Sequence, residues 1–251
     1  MSFVNNYKSI PTSDRPTYGP DPYDVNFVFP VLPSSLESTR IKLTPFIPKL
    51  HAASYRDATA AHQDLYDFLP FSMPTLDSML LFTEGMRCSP GKILFAIIDK
   101  TGPGETPPHL GGSFAGIIGL NNANIDYLSI DIGPIVVFPA FQRTHVASHS
   151  VGLLLQYCME LPDALPNPGL GLRRVTWLAK PDNPPSIRLA EKMGFVREGV
   201  LRWTYVTEAK GMRTRDGDPD QKPGRDCLLL TMTCEDWDTR GKFVFERQMN
   251  R

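Results

Sequence analysis

Two stretches of the sequence hold residue types that could do chemistry together. The first is Asp131 to Leu155, DIGPIVVFPAFQRTHVASHSVGLLL. Asp131 sits between Ile130 and Ile132 on an alternating strand pattern, so its carboxylate faces away from them and could take up a proton. Gly133-Pro134 follows. Glycine inside a strand predicts a bulge, and proline removes one ladder donor. The run Ile135, Val136, Val137, Phe138 is therefore expected to bend from a neighbouring strand and leave backbone groups for a ligand. The turn Gln142-Arg143-Thr144-His145-Val146-Ala147 then enters a long helix. The first N–H groups of a helix lack partners and lie at the positive end of its dipole. Such a turn is an anion site suited to a pyrophosphate. Arg143 adds charge, and the small Ala147 allows close approach. The second stretch runs from Asn183 to Arg202, NPPSIRLAEKMGFVREGVLR.

His145 and His149 stand four apart on the long helix, a spacing that can also bind metal. No Glu lies between them as in His-Glu-x-x-His, and no cysteine motif is near. His145 is read as part of the turn, His149 as part of the helix face, and no metal is expected. Cys158 falls on the apolar stripe of the helix and reads as packing. Trp177, Trp203 and Trp237 read as core or sheet-face residues.

The elements that must position these residues follow from pattern. Residues 1–37 hold Pro11, Pro16, Pro20, Pro22, Pro30 and Pro33 and read as an extended arm, with Phe27, Val28, Phe29 and Val31 to pack on the body. Ile41 and Leu43 mark a short strand. Helical spacing covers 47–69, and Thr75 is an N-cap for a helix to Met86. Ile93–Ile98, Phe114–Leu120 and Leu128–Ile132 read as strands. A helix follows over 144–159, with its stripe at Ala147, Val151, Leu154, Leu155 and Cys158. Then come a strand at 175–179, a helix at 186–193, and strands at 200–206 and 228–234. Loops are expected at 100–112 and 207–226. Helices do not alternate strictly with strands, so a mixed sheet with helices on its faces fits better than a doubly wound fold.

The totals limit partners. Of 251 residues, 26 are basic and 27 acidic, which argues against nucleic acid as a partner. The cluster Lys210, Arg213, Arg215 is interrupted by Asp216, Asp218 and Asp220 and reads as a solvated loop. Four scattered cysteines, without a Cys-x-x-Cys pair, fit reduced thiols. No signal segment or membrane-length apolar run is seen, so a cytoplasmic protein is expected.

The turn Gln142-Arg-Thr-His145-Val-Ala147 resembles the acyl-CoA-binding motif Gln/Arg-x-x-Gly-x-Gly/Ala of the GNAT superfamily of N-acetyltransferases. His145 departs from its glycine. The block Asn183-x-x-Ser186, Lys192-x-Gly194-Phe195 and Glu198-Gly199-x-x-Arg202 is similar to the RimJ/RimL-like branch, as is DCLLLTMTCEDW over 226–237. The stretch RTHVASHSVGLLLQY also resembles fungal members. The resemblance spans about residues 38–237. It implies an α+β fold: a mixed, mostly antiparallel sheet of about seven strands, splayed at the fourth and fifth, with about four flanking helices. It implies a 38–240 domain, an arm before it and a 241–251 tail after it.

The resemblance also implies a chemistry. An amine attacks the thioester of acetyl-CoA directly in a ternary complex. Amides near Ile135, Val136 and Val137 hold the pantetheine arm and polarise the carbonyl. Amides of Arg143, Thr144, His145, Val146 and Ala147 hold the pyrophosphate, and the His145 imidazole could add a bond to phosphate. Asn183 and Ser186 contact pantetheine or the departing thiol. Asp131 matches an acidic residue of several relatives and is the candidate base; a solvated or ion-paired strand aspartate is the competing reading. Many relatives carry a tyrosine seven residues after the asparagine, where this chain has Ala190. Ser186, Tyr205 or water then remain as proton donors to the thiolate, with Tyr205 either pocket wall or core. The acceptor is a small amine or a protein N-terminus. A non-catalytic acyl-CoA-binding protein is the alternative, and transfer to oxygen or of a longer acyl group is a third.

Overall fold

The computed structural model describes residue 4 and residues 15–102, 110–207, 213–217 and 223–250. One mixed sheet of seven strands carries the fold, in the order β1-β2-β3-β4-β5-β7-β6. The strands are β1 (Ile41–Pro45), β2 (Ile93–Asp99), β3 (Ser113–Asn124), β4 (Ser129–Val137), β5 (Arg174–Ala179), β6 (Val196–Val206) and β7 (Gly224–Thr233). The helices are α1 (Pro48–Thr59), α2 (Leu76–Arg87), α3 (Val146–Met159), α4 (Pro184–Lys192), α5 (Cys234–Asp236) and α6 (Lys242–Met249). The order of strands and helices up to β7 is the expected one, and the fold is α+β.

Two cores lie on the two faces of the sheet. One joins Phe95, Ile97, Ile118, Ile130 and Ile132 to Val151, Leu154 and Leu155 of α3. The other joins Leu94, Ala96, Ile98, Ile117, Val136 and Phe138 to Tyr55 of α1 and Met79 of α2. β2 is buried along its whole length because both faces are covered. Phe27, Phe29 and Val31 of the arm pack on the first core, as their apolar character suggested.

Helix α1 is shorter than the 47–69 pattern predicts. It ends at Thr59, and a 3-10 turn follows over Gln63–Tyr66. The Gln63 amide donates to the Thr59 carbonyl at 3.1 Å, filling an acceptor that a continuing helix would have used. Thr75 caps α2 as predicted, in a reciprocal pair with Ser78. The C-terminal segment carries helix where a tail was expected. A π-helical turn at Trp237–Gly241 leads into α6, whose Phe245 and Met249 lie against Gly152 of α3. An added Cβ on Gly152 would lie 3.0 Å from the Met249 sulfur, so the small residue lets α6 sit close to α3.

Arg213 and Arg215 are exposed, as a solvated loop requires, and Arg213 pairs with Asp226 at 2.5 Å. Lys210, Asp218 and Asp220 lie outside the described residues, as do Pro11 and residues 103–109 of the 100–112 loop. Among the described residues no helix is long and apolar enough to cross a membrane.

Candidate active site

The site begins at a break between two parallel strands. β4 pairs with β5 only at Ser129, Ile130 and Asp131, the last opposite Thr176. Beyond Asp131 the strands part. On its other edge β4 stays paired with β3, but the register shifts: Ile118 opposes Ile135 and Leu120 opposes Ile132. Gly119 therefore faces both Gly133 and Pro134. This is the predicted bulge, and it changes which face each side chain takes. Ile130 and Ile132 point to the α3 core, whereas Val136 and Phe138 point to the α1/α2 core. A Cβ on Gly119 would lie 2.8 Å from the Gly133 carbonyl oxygen, so only glycine admits the bulge there.

The ladder decides which backbone groups are free. Phe138 N–H donates to the Ala115 carbonyl at 2.9 Å. By alternation, Val136 also turns its backbone to β3, while Ile135 and Val137 turn theirs to the open edge. Of Ile135, Val136 and Val137, all expected to meet the pantetheine arm, Val136 is turned to β3 and the edge is offered by Ile135 and Val137. The Gln142 side chain donates to the Val137 carbonyl at 3.1 Å and ties the following turn to that edge.

The turn itself holds a row of unbonded amides. Arg143 takes a left-handed conformation at φ 61°. The N–H groups of Arg143, Thr144, His145, Ala147 and Ser148 have no hydrogen-bond partner among the described residues, and Val146 N–H is met by the Thr144 hydroxyl at 3.3 Å. His145 has helical angles, φ −70° and ψ −19°, which any residue adopts, so the turn does not demand glycine at that position. Its imidazole points behind the turn, with Nε2 3.4 Å from the Asp99 carboxylate and the ring 5.1 Å from that of His149. It does not line the cleft, so an imidazole bond to phosphate is not supported. Burial pushes His149 down to about 4, with His145 acting in the same direction.

These edges open into one cleft of about 860 Å³. The remaining predicted residues converge on it. Asp131 accepts from Thr176 and, at 2.7 Å, from Asn122. Ser186 accepts from Trp177 Nε1 at 2.9 Å, so the cleft-lining hydroxyl keeps its proton to donate elsewhere. The Asn183 carbonyl oxygen caps α4 by accepting from Ser186 N–H at 3.2 Å, which leaves its amide donors free. Tyr205 lines the cleft from β6. Burial pushes its hydroxyl up to about 12; Cys227 and Asp131 add to the shift and Arg225 opposes it.

Much of the second sequence block serves the fold instead. Gly194, at φ 93°, ends α4 and turns Phe195 onto Trp177 at 5.6 Å. Glu198 pairs with Arg174 across the sheet. Cys158 is fully buried, as its stripe predicted, and burial pushes its thiol up. Other cleft residues carry no site signal in the sequence: Asn122, Arg188, Lys192, Arg225 and the aromatic wall of Phe68, Phe71 and Phe82. Among the described residues no cluster of three or more His, Cys, Asp or Glu could hold a metal.

Comparison with known proteins bears on this arrangement. A family model described as the acetyltransferase (GNAT) domain matches residues 40–196. No curated protein sequence matches. Among solved structures, a GCN5-related N-acetyltransferase from Brucella melitensis aligns with TM-score 0.67 and 22% identity, over 85% of this chain and 84% of that one. Mycobacterium smegmatis RimJ in complex with CoA-disulfide aligns with TM-score 0.62 and 19% identity, over 82% and 88%. Spermidine N-acetyltransferase from Vibrio cholerae, in complex with CoA and spermine, aligns with TM-score 0.57 and 14% identity, over 80% and 100%.

Proposed function

Because this chain belongs to the GNAT acetyltransferase domain family, we propose that it is an acetyl-CoA-dependent N-acetyltransferase acting on a primary amine, small molecule or protein N-terminus. One observation carries the reading: the free edge of Ile135 and Val137 and the unbonded amides of Arg143, Thr144, Ala147 and Ser148 open into the same cleft. The first suits an extended amide-bearing arm, and the second suits a pyrophosphate. Arg143, Arg188 and Lys192 bring cations to that cleft. The RimJ structure with CoA-disulfide supports the same cofactor, and the RimJ/RimL-like and fungal-type readings rest on the sequence blocks alone. A cytoplasmic location is proposed with it.

The mechanism follows from the residues. Asp131, held by Thr176 and Asn122, accepts the ammonium proton directly or through water. The nitrogen lone pair forms a C–N bond to the thioester carbonyl carbon, whose oxygen takes up charge beside the strand amides. The C–S bond breaks, the thiolate takes a proton from Tyr205, Ser186 or water, and the new amide nitrogen gives up its second proton to restore that donor. Burial pushes the Tyr205 hydroxyl up to about 12, so it stays protonated in the neutral range but is a weaker acid than the thiol it would form. Most of the rate gain is positioning, which can lower a barrier by about 7–11 kcal/mol.

A non-catalytic acyl-CoA-binding protein is the second reading, favoured by Ala190, fully buried where many relatives carry a tyrosine. Calorimetric titration with acetyl-CoA, followed by thiol release across a panel of amines, separates the two. Binding with release is expected. Binding without release selects the second reading, and no binding at millimolar ligand removes both.

A further inference from the structure

Among the described residues Arg225 is the one buried arginine. Arg87, Arg174, Arg197, Arg213 and Arg240 each pair with a carboxylate. Arg225 is 5% exposed, its Nε has no partner, and it has no ion pair among the described residues. The adjacent Asp226 is already taken by Arg213 at 2.5 Å and by the Trp203 N–H at 2.9 Å. The guanidinium lies 6.0 Å from the centre of the Tyr205 ring, its opposite number on β6, and both line the cleft. The Cys227 thiol lies beside it, but a thiol does not neutralise a guanidinium, and a buried charge without a counter-ion is costly. The guanidinium's place at the cleft calls for an anion, and its planar fork matches a carboxylate.

The surroundings narrow the ligand. The Tyr205 hydroxyl feels both Asp131 and Arg225, so a negative and a positive group flank one part of the cleft. Phe71 stacks on Phe82 at 4.6 Å, and with Leu65, Phe68 and Leu69 they form an apolar wall. The pyrophosphate turn lies on a different element, after β4, and has its own donors.

We propose that the acceptor is a small amino acid-type amine with an apolar side chain, its carboxylate held by Arg225, its amine directed to Asp131 and its side chain set against Phe71 and Phe82. This rests on the acyltransferase reading above. A site built to bind one polar group rejects the analogue lacking it by large factors, on the order of 100-fold or more.

The test uses the full chain, acetyl-CoA and matched acceptors: phenylalanine and leucine, their amides, and phenethylamine and isopentylamine. The free amino acids are expected to exceed the decarboxylated amines at least about 100-fold in kcat/KM. Arg225→Gln and Arg225→Lys should collapse that ratio towards one while the Kd for acetyl-CoA stays within about threefold. Decarboxylated amines that match or exceed the amino acids overturn the proposal and leave the acyltransferase reading standing. So does a tenfold loss of acetyl-CoA affinity in a folded Arg225→Gln, which would assign the guanidinium to a CoA phosphate. Thiol release from none of the amines, with acetyl-CoA bound, overturns both. The wild-type ratio decides the matter even if a variant fails to fold.

Discussion

The wall of the cleft from Ile135 to Ser148 presents backbone amides, whereas the wall from Leu65–Phe71 to Tyr205 and Arg225 presents side chains. The first is built from one continuous stretch, a bulged strand running into a helix. The second gathers residues from the α1–α2 connection, α2, β3, β6 and β7. Backbone recognition depends on chain path and tolerates many side chains. Side-chain recognition depends on residue identity and can change acceptor without disturbing the fold. The walls should therefore fail differently: changes on the first should alter acetyl-CoA binding, and changes on the second should alter turnover and acceptor choice.

The largest effect is expected at Asp131, where the walls meet. Asp131→Asn keeps the size of the side chain and one acceptor oxygen for Thr176 or Asn122. It removes the proton acceptor. kcat should fall about 100-fold or more, while the Kd for acetyl-CoA changes less than about threefold. Steady-state kinetics beside calorimetry reads both. An unaltered kcat would return Asp131 to a strand residue that only bonds its neighbours.

A smaller effect tests the backbone wall. Val137 turns its N–H to the open edge, so Val137→Pro deletes a ligand donor without deleting a ladder bond. Acetyl-CoA should bind about 5–10-fold more weakly, the worth of one hydrogen bond, with thermal stability changed by only a few degrees. Val136→Pro is the control. Its N–H belongs to the β3 ladder, so it should cost stability first. If Val137→Pro leaves affinity intact, the edge is not where the pantetheine arm lies.

The same contrast explains what could be read from sequence. Gly133-Pro134 announced the bulge because glycine and proline restrict backbone directly, and Gln142 to Ala147 announced the turn because a strand passes straight into a helix. Asn183 and Ser186 were legible through the Asn-x-x-Ser block, whose spacing the cap of α4 explains. Phe68, Phe82, Asn122 and Arg225 were not, because sheet order and register bring them to the cleft from distant parts of the chain. Asp131 was legible by its alternation with Ile130 and Ile132 and by its match to an acidic residue of relatives; its partner Thr176 lies 45 residues on and is joined to it only by parallel pairing. The helix after β7 was missed for another reason. The pattern had been read only as far as Trp237, and a π-helical turn breaks the helical period at that point.

The smallest effect sharpens the distinction at one residue. His145 stands where the family pattern has glycine, and replacing it with that glycine would be expected to improve a phosphate site if the side chain obstructed it. The geometry argues otherwise. The backbone is already in the helical region, and the 17% exposed imidazole sits behind the turn against Asp99 and His149. His145→Gly adds conformational freedom to the unfolded chain, which costs about 0.5–1 kcal/mol, and removes buried contacts. Stability should fall by about 1–2 kcal/mol in urea unfolding, while the Kd for acetyl-CoA moves less than about twofold. A tenfold change in Kd at unaltered stability would mean that the imidazole reaches the ligand after all, and the wall from Ile135 to Ser148 would no longer be one of backbone alone.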